Sequence, residues 1–377
     1  MYKVFIVDDS KFIITLLEAL LKKSGYDVKI FYDAKSAIKA LSSELPHLII
    51  SDYLMPEMDG FEFCKIVKSY PRTKDIKFIL VTGYDDINAK VKCFEIGADD
   101  YLLKPFNNDE VLARVKTHIT LKSLQDSLKE ALNKIDKELE IVGHIQKNLI
   151  PIKSPIVEGL SFATYYNTFS KSGGDYFDFI KLDEALYGIV MCDVSGHGTS
   201  STVVMAMLKT IFVKVVNNLI DPSEAINKVN DIILEFLDID KFATIFYGIL
   251  DTNTFEMKYT NAGHPFPYMV NKNTSKIDKI LGKSGLPVGI LPEAKGSYVT
   301  NQILLPKKSR IIIYTDGVTE LKDSSNDFFG EERFENLILS TIDYDVEKAR
   351  DLIVDSLLKF SDNKINDDIT FIIFDIC

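Results

Sequence analysis

A chain of 377 residues with 46% hydrophobic content exceeds one ordinary domain and can bury two cores, so two domains with a linker between them are expected. Its net charge of −11 disfavours duplex DNA, whose phosphates it would repel, and suits divalent cations. No run approaches the ~20 apolar residues of a membrane span, the opening MYKVFIVDDS reads as a strand, and Cys64, Cys93, Cys192 and Cys377 lack CxxC spacing; a cytoplasmic protein with reduced thiols, no membrane insertion and no direct DNA contact is expected.

From Met1 to Phe106, short apolar runs (VFIV, VKIF, LIIS, FILVT, DYLLK) alternate with amphipathic stretches such as FIITLLEALLKK. This is βα repetition, which predicts a doubly wound parallel sheet with its site at the carboxyl ends of the strands. Asp8 and Asp9 follow the first strand, Asp52 ends the third, Thr82 the fourth, and Lys104 the fifth, ahead of Pro105. An Asp-Asp pair after a strand is, taken alone, a turn or a helix cap. Three acids at one sheet edge repel one another unless a hard cation sits among them, and Mg²⁺ with oxygen ligands meets that need. With DYLMPEMDG, VTG and KPF also at matching strand ends, residues 1–120 resemble the receiver domain of bacterial response regulators. The resemblance implies that Asp52 accepts a phosphoryl group from a sensor histidine kinase. It also implies that Asp8, Asp9, Asp52 and the Leu54 carbonyl hold Mg²⁺, that Lys104 pairs with the phosphoryl group, that Thr82 hydrogen-bonds it, and that Tyr101 changes rotamer with it.

Between Asn108 and Leu149 the sequence is almost free of Gly and Pro, and one long helix is expected. Leu121, Leu128, Ile135, Val142 and Leu149 recur at every seventh position, with Leu124, Ala131 and Ile145 between them. That is the seam of a two-stranded coiled coil, interrupted at Glu138, and it predicts a homodimer formed through residues 121–150. The alternative is a helix packed on its own chain. The end of the run, HIQKNLIP, resembles the Q-x-x-L-P helix that precedes phosphatase modules of the sporulation and stress-response type.

In residues 151–377 strands lie next to one another: LSFATYYN, DYFDFIKL, ALYGIVMCDVS, FATIFYGILD, FEMKYTNAG, RIIIYTDG and DDITFIIFDI. Two helical stretches, TSSTVVMAMLKTIFVKVV and PSEAINKVNDIILEFL, interrupt them. An α+β layered sandwich of two antiparallel sheets flanked by helices accommodates this order. Four acidic clusters fall at strand ends or turns: SGGDYFD, CDVSGHG, YTDGVTE and NDDIT. Each alone is an ordinary turn, but together they supply the carboxylates that phosphate-ester hydrolysis with two metal ions requires. The glycines beside them permit close backbone approach.

As an ordered set, and with NAGHPFPY and LPVG, these motifs resemble the metal-dependent PPM (protein phosphatase 2C-like) serine/threonine phosphatases, in their bacterial sporulation and sigma-regulation branch. The resemblance implies that Asp193 bridges two Mn²⁺ or Mg²⁺ ions, that the Val194 carbonyl ligates one, and that Asp175, Asp316 and Asp367 complete the set. Asp178 and Asp368 are second candidates, because motif matching does not separate adjacent acids. A water activated by the two cations would attack a phosphoserine or phosphothreonine phosphorus directly. No Cys-x5-Arg cradle exists, and the arginine that many eukaryotic relatives place against phosphate has no evident counterpart here. His197 and His264 lie in Gly-flanked turns, where a histidine either hydrogen-bonds backbone or serves catalysis. The helix that begins near Thr199 could favour an anion at its N-terminus.

The whole resembles a response regulator whose output is a metal-dependent phosphatase controlled through Asp52, with a phosphorylated anti-sigma-factor antagonist as its implied substrate. Two rivals are a catalytically inactive scaffold of the same fold and a nucleotide cyclase with SGGDYFD as its metal hairpin. The cyclase motif requires a second acid where Tyr176 stands.

Overall fold

The computed structural model describes residues 1–83, 93–151, 153–196, 198–216, 221–236, 241–294 and 296–377. The chain forms two units, Met1–Ile135 and Asp136–Cys377.

In the first unit β1 (Lys3–Val7), β2 (Asp27–Phe31), β3 (Leu48–Asp52), β4 (Lys77–Gly83) and β5 (Asp100–Lys104) make a parallel sheet in the order β2-β1-β3-β4-β5. Because successive side chains point to opposite faces, a strand covered on both sides must be apolar at every position. In β1, Val4 and Ile6 enter the core shared with Ile14, Leu17, Val111 and Val115. Phe5 and Val7 enter the core shared with Ala34, Ala37, Phe61 and Val67 on the other face. Asp33 and Asp59 cap the helices Ala34–Leu41 and Gly60–Ser69 by accepting from Ser36 and Glu62 amides. Gly60 is obligatory, since a Cβ there would lie 2.3 Å from the Asp52 carbonyl oxygen.

The helix expected over 108–149 is continuous from Asn108 to Leu149. Val111, Val115 and Ile119 are buried in the first unit, after which Leu121, Leu124, Leu128 and Ile135 turn to solvent, each about half exposed or more. The heptad stripe does not continue as one exposed seam: Ile145 is exposed, Val142 is half-buried, and Leu149 packs against the core of the second unit.

The second unit contains two sheets. One has the order β13-β10-β9-β8-β7, with β14 also on β10; the other has the order β12-β11-β15-β16-β6. Their strands are β6 (Leu160–Asn167), β7 (Tyr176–Lys181), β8 (Leu186–Val194), β9 (Ala243–Asp251), β10 (Glu256–Ala262), β11 (Tyr268–Asn271), β12 (Lys276–Lys279), β13 (Ser284–Gly285), β14 (Asn301–Leu304), β15 (Ser309–Tyr314) and β16 (Ile369–Ile376). All pairings are antiparallel except the short parallel pair β10 with β13.

Alternation assigns the layers. Ile311, Ile313, Ile372 and Phe374 share a core with Ile189, Met191 and Phe246 of the other sheet. Ile312, Tyr314, Phe371 and Ile373 face the helices Gly330–Ser340 and Val346–Phe360 through Phe334, Ile338 and Ile353. The helix Thr199–Val216 corrects one expectation. With 18 residues and a mean hydropathy of 1.5 it is long and apolar enough to cross a membrane. Its buried residues Met205, Leu208 and Phe212 nevertheless belong to the core that the two sheets share.

Candidate functional site

Strand register brings the four acidic clusters to one end of the sandwich. Tyr176 pairs with Cys192, which sets Asp175, just before β7, beside Asp193, near the end of β8. In the other sheet Tyr314 pairs with Phe371 and the Thr315 amide bonds the Thr370 carbonyl at 3.0 Å, which brings Asp316 near Asp367. Hydrogen bonds join the sheets here. Thr315 Oγ1 donates to Asp175 Oδ2 at 2.9 Å, and the Gly174 amide donates to Asp368 Oδ2 at 2.7 Å.

The glycines of SGGD are required by closeness. A Cβ on Gly173 would lie 1.9 Å from Asp368 Oδ2, and one on Gly174 would lie 2.7 Å from the Val194 carbonyl oxygen. That carbonyl therefore points at the loop that carries Asp175.

Burial raises the pKa values of these acids, and their mutual repulsion adds to it. Asp193 is pushed up to about 8 by burial and then by Asp316, Asp367 and Asp368. Asp316 rises to about 6 through burial, Asp367 and Glu320. Asp175, fully enclosed, is raised by burial, then Asp193 and Asp368. Carboxylates held this way are ready to exchange protons for cations. The donors are all oxygen, four carboxylates and one backbone carbonyl, which is the set that Mn²⁺ or Mg²⁺ takes. Asp175, Asp193, Asp316, Asp367 and the Val194 carbonyl could hold them.

The second candidates have other work. Asp178 Oδ2 is ion-paired with Lys209 Nζ at 2.8 Å and accepts from the Tyr176 hydroxyl at 2.9 Å. Asp368 accepts from the Phe169 amide at 2.8 Å as well as from Gly174, so its carboxylate holds the 169–175 loop in place. His264 is buried, with Nδ1 at 2.9 Å from Thr244 Oγ1, and burial lowers its pKa to about 3. It stays neutral at ordinary pH, which removes it as a general acid. His197 lies outside the described residues. SGGDYFD runs from the loop into β7, inside the sandwich.

Two participants escaped the sequence reading. Thr315, one residue before the recognised Asp316, orients Asp175 from the opposite sheet. Gln146, buried within the long helix, grips the Gly173 peptide at both ends: Nε2 donates to its carbonyl at 2.7 Å and Oε1 accepts from its amide at 2.9 Å. Gly143 lets that helix approach, since a Cβ there would meet the Lys171 carbonyl oxygen at 1.9 Å. The Q-x-x-L-P pattern marked the glutamine, but only the fold shows that it holds the loop of Asp175.

In the receiver unit, Asp8, Asp9 and Asp52 each offer an oxygen within 4.8 Å of the others. Lys104 Nζ lies 3.1 Å from Asp8 Oδ2 and 2.8 Å from Asp52 Oδ1. Burial raises the Asp52 pKa despite the opposing hydrogen bond from Lys104. Burial also opposes the Lys104 charge, but Asp52 and Asp8 outweigh it and its pKa is raised. Thr82 is buried at the end of β4, its hydroxyl 3.1 Å from the Gly83 carbonyl. Tyr101 meets Phe94 edge-on at 6.0 Å, under the Arg114 guanidinium at 5.7 Å. Leu54 follows β3 with its side chain exposed.

A parallel sheet that gathers an acid triad and a lysine at its strand ends defines the first unit as a response regulator receiver domain, and the two-sheet sandwich with acids at one end is the PP2C-type phosphatase fold. The chain belongs to the stage II sporulation protein E (SpoIIE) family, whose model matches residues 183–376, and the response regulator receiver model matches residues 4–116. Phosphoserine phosphatase RsbU of Bacillus subtilis (strain 168) is 29% identical over 257 residues, covering 68% of this chain and 73% of the relative. Among solved structures, the SiaA-PP2C domain of Pseudomonas aeruginosa shares the fold with a TM-score of 0.58 at 16% identity, over 66% of this chain and 99% of that one. The RsbU and RsbW domains of a Mycobacterium tuberculosis protein align with a TM-score of 0.53 at 24% identity, over 60% and 62% of the two chains.

Proposed function

We propose that this chain is a cytoplasmic two-component response regulator whose output is a metal-dependent protein serine/threonine phosphatase. Its substrate would be a phosphorylated anti-sigma-factor antagonist, and phosphorylation of Asp52 by a sensor histidine kinase would control it. The observation that carries the reading is the convergence of Asp175, Asp193, Asp316 and Asp367: register sets Asp175 beside Asp193, and Asp316 and Asp367 of the other sheet act on Asp193. The likeness to RsbU supports the phosphoserine substrate class.

Two Mn²⁺ or Mg²⁺ ions, when bound, supply the Lewis acidity that ionises water and neutralises the phosphoryl oxygens. The protein's own part is positional. Asp193 stands between the two groups of acids, Thr315 fixes the rotamer of Asp175, and Asp368 pins the loop through two amides. In the receiver, Mg²⁺ would sit among Asp8, Asp9, Asp52 and the Leu54 carbonyl, with Thr82, Tyr101 and Lys104 reading the phosphoryl group.

The test of the activity is release of phosphate from a phosphoserine protein with Mn²⁺ present and after chelation; equal rates under the two conditions would sink the proposal. Coupling to the receiver is a second expectation. Gln146 and Gly143 give the long helix a hold on the Asp175 loop, so a shift of that helix changes the site. Beryllofluoride, a phosphoryl mimic at Asp52, should raise turnover about fivefold or more, within the usual range of coupling free energies. An unchanged rate together with an unchanged oligomeric state would remove the coupling.

The exposed apolar stripe of Leu121, Leu124, Leu128 and Ile135 supports a homodimer through the helix. Ile135→Glu puts a charge into that seam, and sedimentation should then report monomers. A variant that still sediments as a dimer would refute the seam.

A further inference from the structure

The sequence shows no evident arginine to serve as a phosphate-anchoring cation. We infer that Lys241 is that anchor and binds the phosphoryl oxygens of the substrate through its ammonium, an assignment that rests on the phosphatase reading above.

The β8–β9 ladder pairs Asp193 with Thr244 and Val194 with Ala243. It extends one step further: the Ser195 amide bonds the Phe242 carbonyl at 2.8 Å, and the Phe242 amide bonds Ser195 Oγ at 3.0 Å. Lys241 is the next residue, across from Gly196. Its Nζ donates to the Ser195 carbonyl at 2.9 Å, and a Cβ on Gly196 would lie 2.7 Å from that nitrogen. Gly196, at φ +82°, is in the left-handed region that favours glycine. The charge is held at the carbonyl of Ser195, two residues past Asp193.

Three other basic side chains near the acidic loops are engaged elsewhere. Lys209 is paired with Asp178, Lys171 with Glu140, and Lys322 lies over the Phe328 ring at 5.1 Å. Among the described residues Lys241 has no carboxylate partner. An ammonium has three donors, and the Ser195 carbonyl takes one, which leaves two for an anion. The Thr199–Val216 helix begins three residues after Gly196, so its N-terminal dipole adds to the attraction. A phosphomonoester dianion held by two cations still has outward oxygens, and Lys241 supplies the compact point charge suited to them.

The rival role is to tie down the Ser195–Gly196 turn or to balance the acids, and in either case loss of Lys241 would disturb metal binding. The experiment uses the full chain loaded with Mn²⁺ and inorganic phosphate as the probe, titrated by calorimetry, for wild type, Lys241→Met and Lys241→Arg. Expected is a roughly tenfold or greater weakening of phosphate binding in Lys241→Met, substantial recovery in Lys241→Arg, and an unchanged Mn²⁺ half-saturation in both. The KM for a phosphoserine protein should rise in parallel. Phosphate affinity equal to wild type in Lys241→Met, loss only in step with Mn²⁺ affinity, or no phosphate binding by wild type would each overturn the assignment. Lysine-dependent phosphate binding in a wild type that releases none from phosphoprotein would uphold the anchor and overturn the phosphatase reading instead.

Discussion

Asp193→Asn should lower Mn²⁺-dependent phosphate release by roughly 10³-fold, about 4 kcal/mol of barrier, while leaving the fold intact. The substitution is nearly isosteric, and it removes a carboxylate that feels Asp316, Asp367 and Asp368 of the other sheet. It should also stabilise the metal-free protein. Asp193 and Asp316 are held up to about 8 and about 6, above their ordinary range. Acids with raised folded-state pKa values favour the native state while protonated, at low pH. That contribution is lost as pH rises from the ordinary carboxylate value of about 4 up to the folded values of about 6 and about 8. In chelator, the phosphatase-domain melting midpoint of wild type should therefore fall across that interval, and Asp193→Asn should fall less. Added Mn²⁺ should restore wild type and do little for the variant. Turnover within tenfold of wild type, or identical pH dependence of melting in chelator, would remove Asp193 from its assigned place.

The largest expected loss of stability comes from a residue with no part in the chemistry. Arg310 is fully buried on β15, directly across from Asp375 on β16. Its Nε and Nη2 bond the two Asp375 oxygens at 2.7 and 2.9 Å, while Nη1 and Nη2 reach the Thr341 and Tyr344 carbonyls at 2.8 and 2.7 Å. Lys272 adds a further contact to Asp375 at 2.6 Å. Arg310→Ala leaves a buried carboxylate short of its main partner and two carbonyls without donors, at a cost of about 3–5 kcal/mol. For a domain of this size that shifts the phosphatase-domain melting midpoint by roughly 10 °C, with the receiver transition unmoved. Arg310→Lys should recover only part, since an ammonium cannot reproduce the planar fork. A midpoint within about 2 °C of wild type would show that the network contributes little.

Much of the first unit was legible because its strands are apolar at nearly every position and its acids fall where βα repeats end. Asp8, Asp9, Asp52 and Lys104 are far apart in sequence, yet parallel strands all carry their carboxyl ends to one edge, and there they meet. The second unit was legible as strands, helices and four acidic turns. What the pattern left open was which neighbouring acid does what. Asp175 and Asp178 differ by three positions, but one is enclosed with Asp193 and the other is neutralised by Lys209, from a helix whose packing no local pattern specifies. The heptad stripe shows the same limit: its spacing is regular to Leu149, but Leu149 itself packs against the core of the second unit.

The sequence alone determined the order of elements, the two-unit division and the acid-bearing turns, because periodicity and turn chemistry are local properties of the chain. Tertiary structure alone decided that Thr315 holds Asp175, that Gln146 grips Gly173, that Arg310 meets Asp375 and that Lys241 bonds the Ser195 carbonyl. Each of these pairs is set by strand register or helix docking between segments 27 to 140 residues apart, or, for Lys241, by a turn 46 residues away. Register is fixed by the packing of a whole face at once, and no single stretch of sequence contains that information.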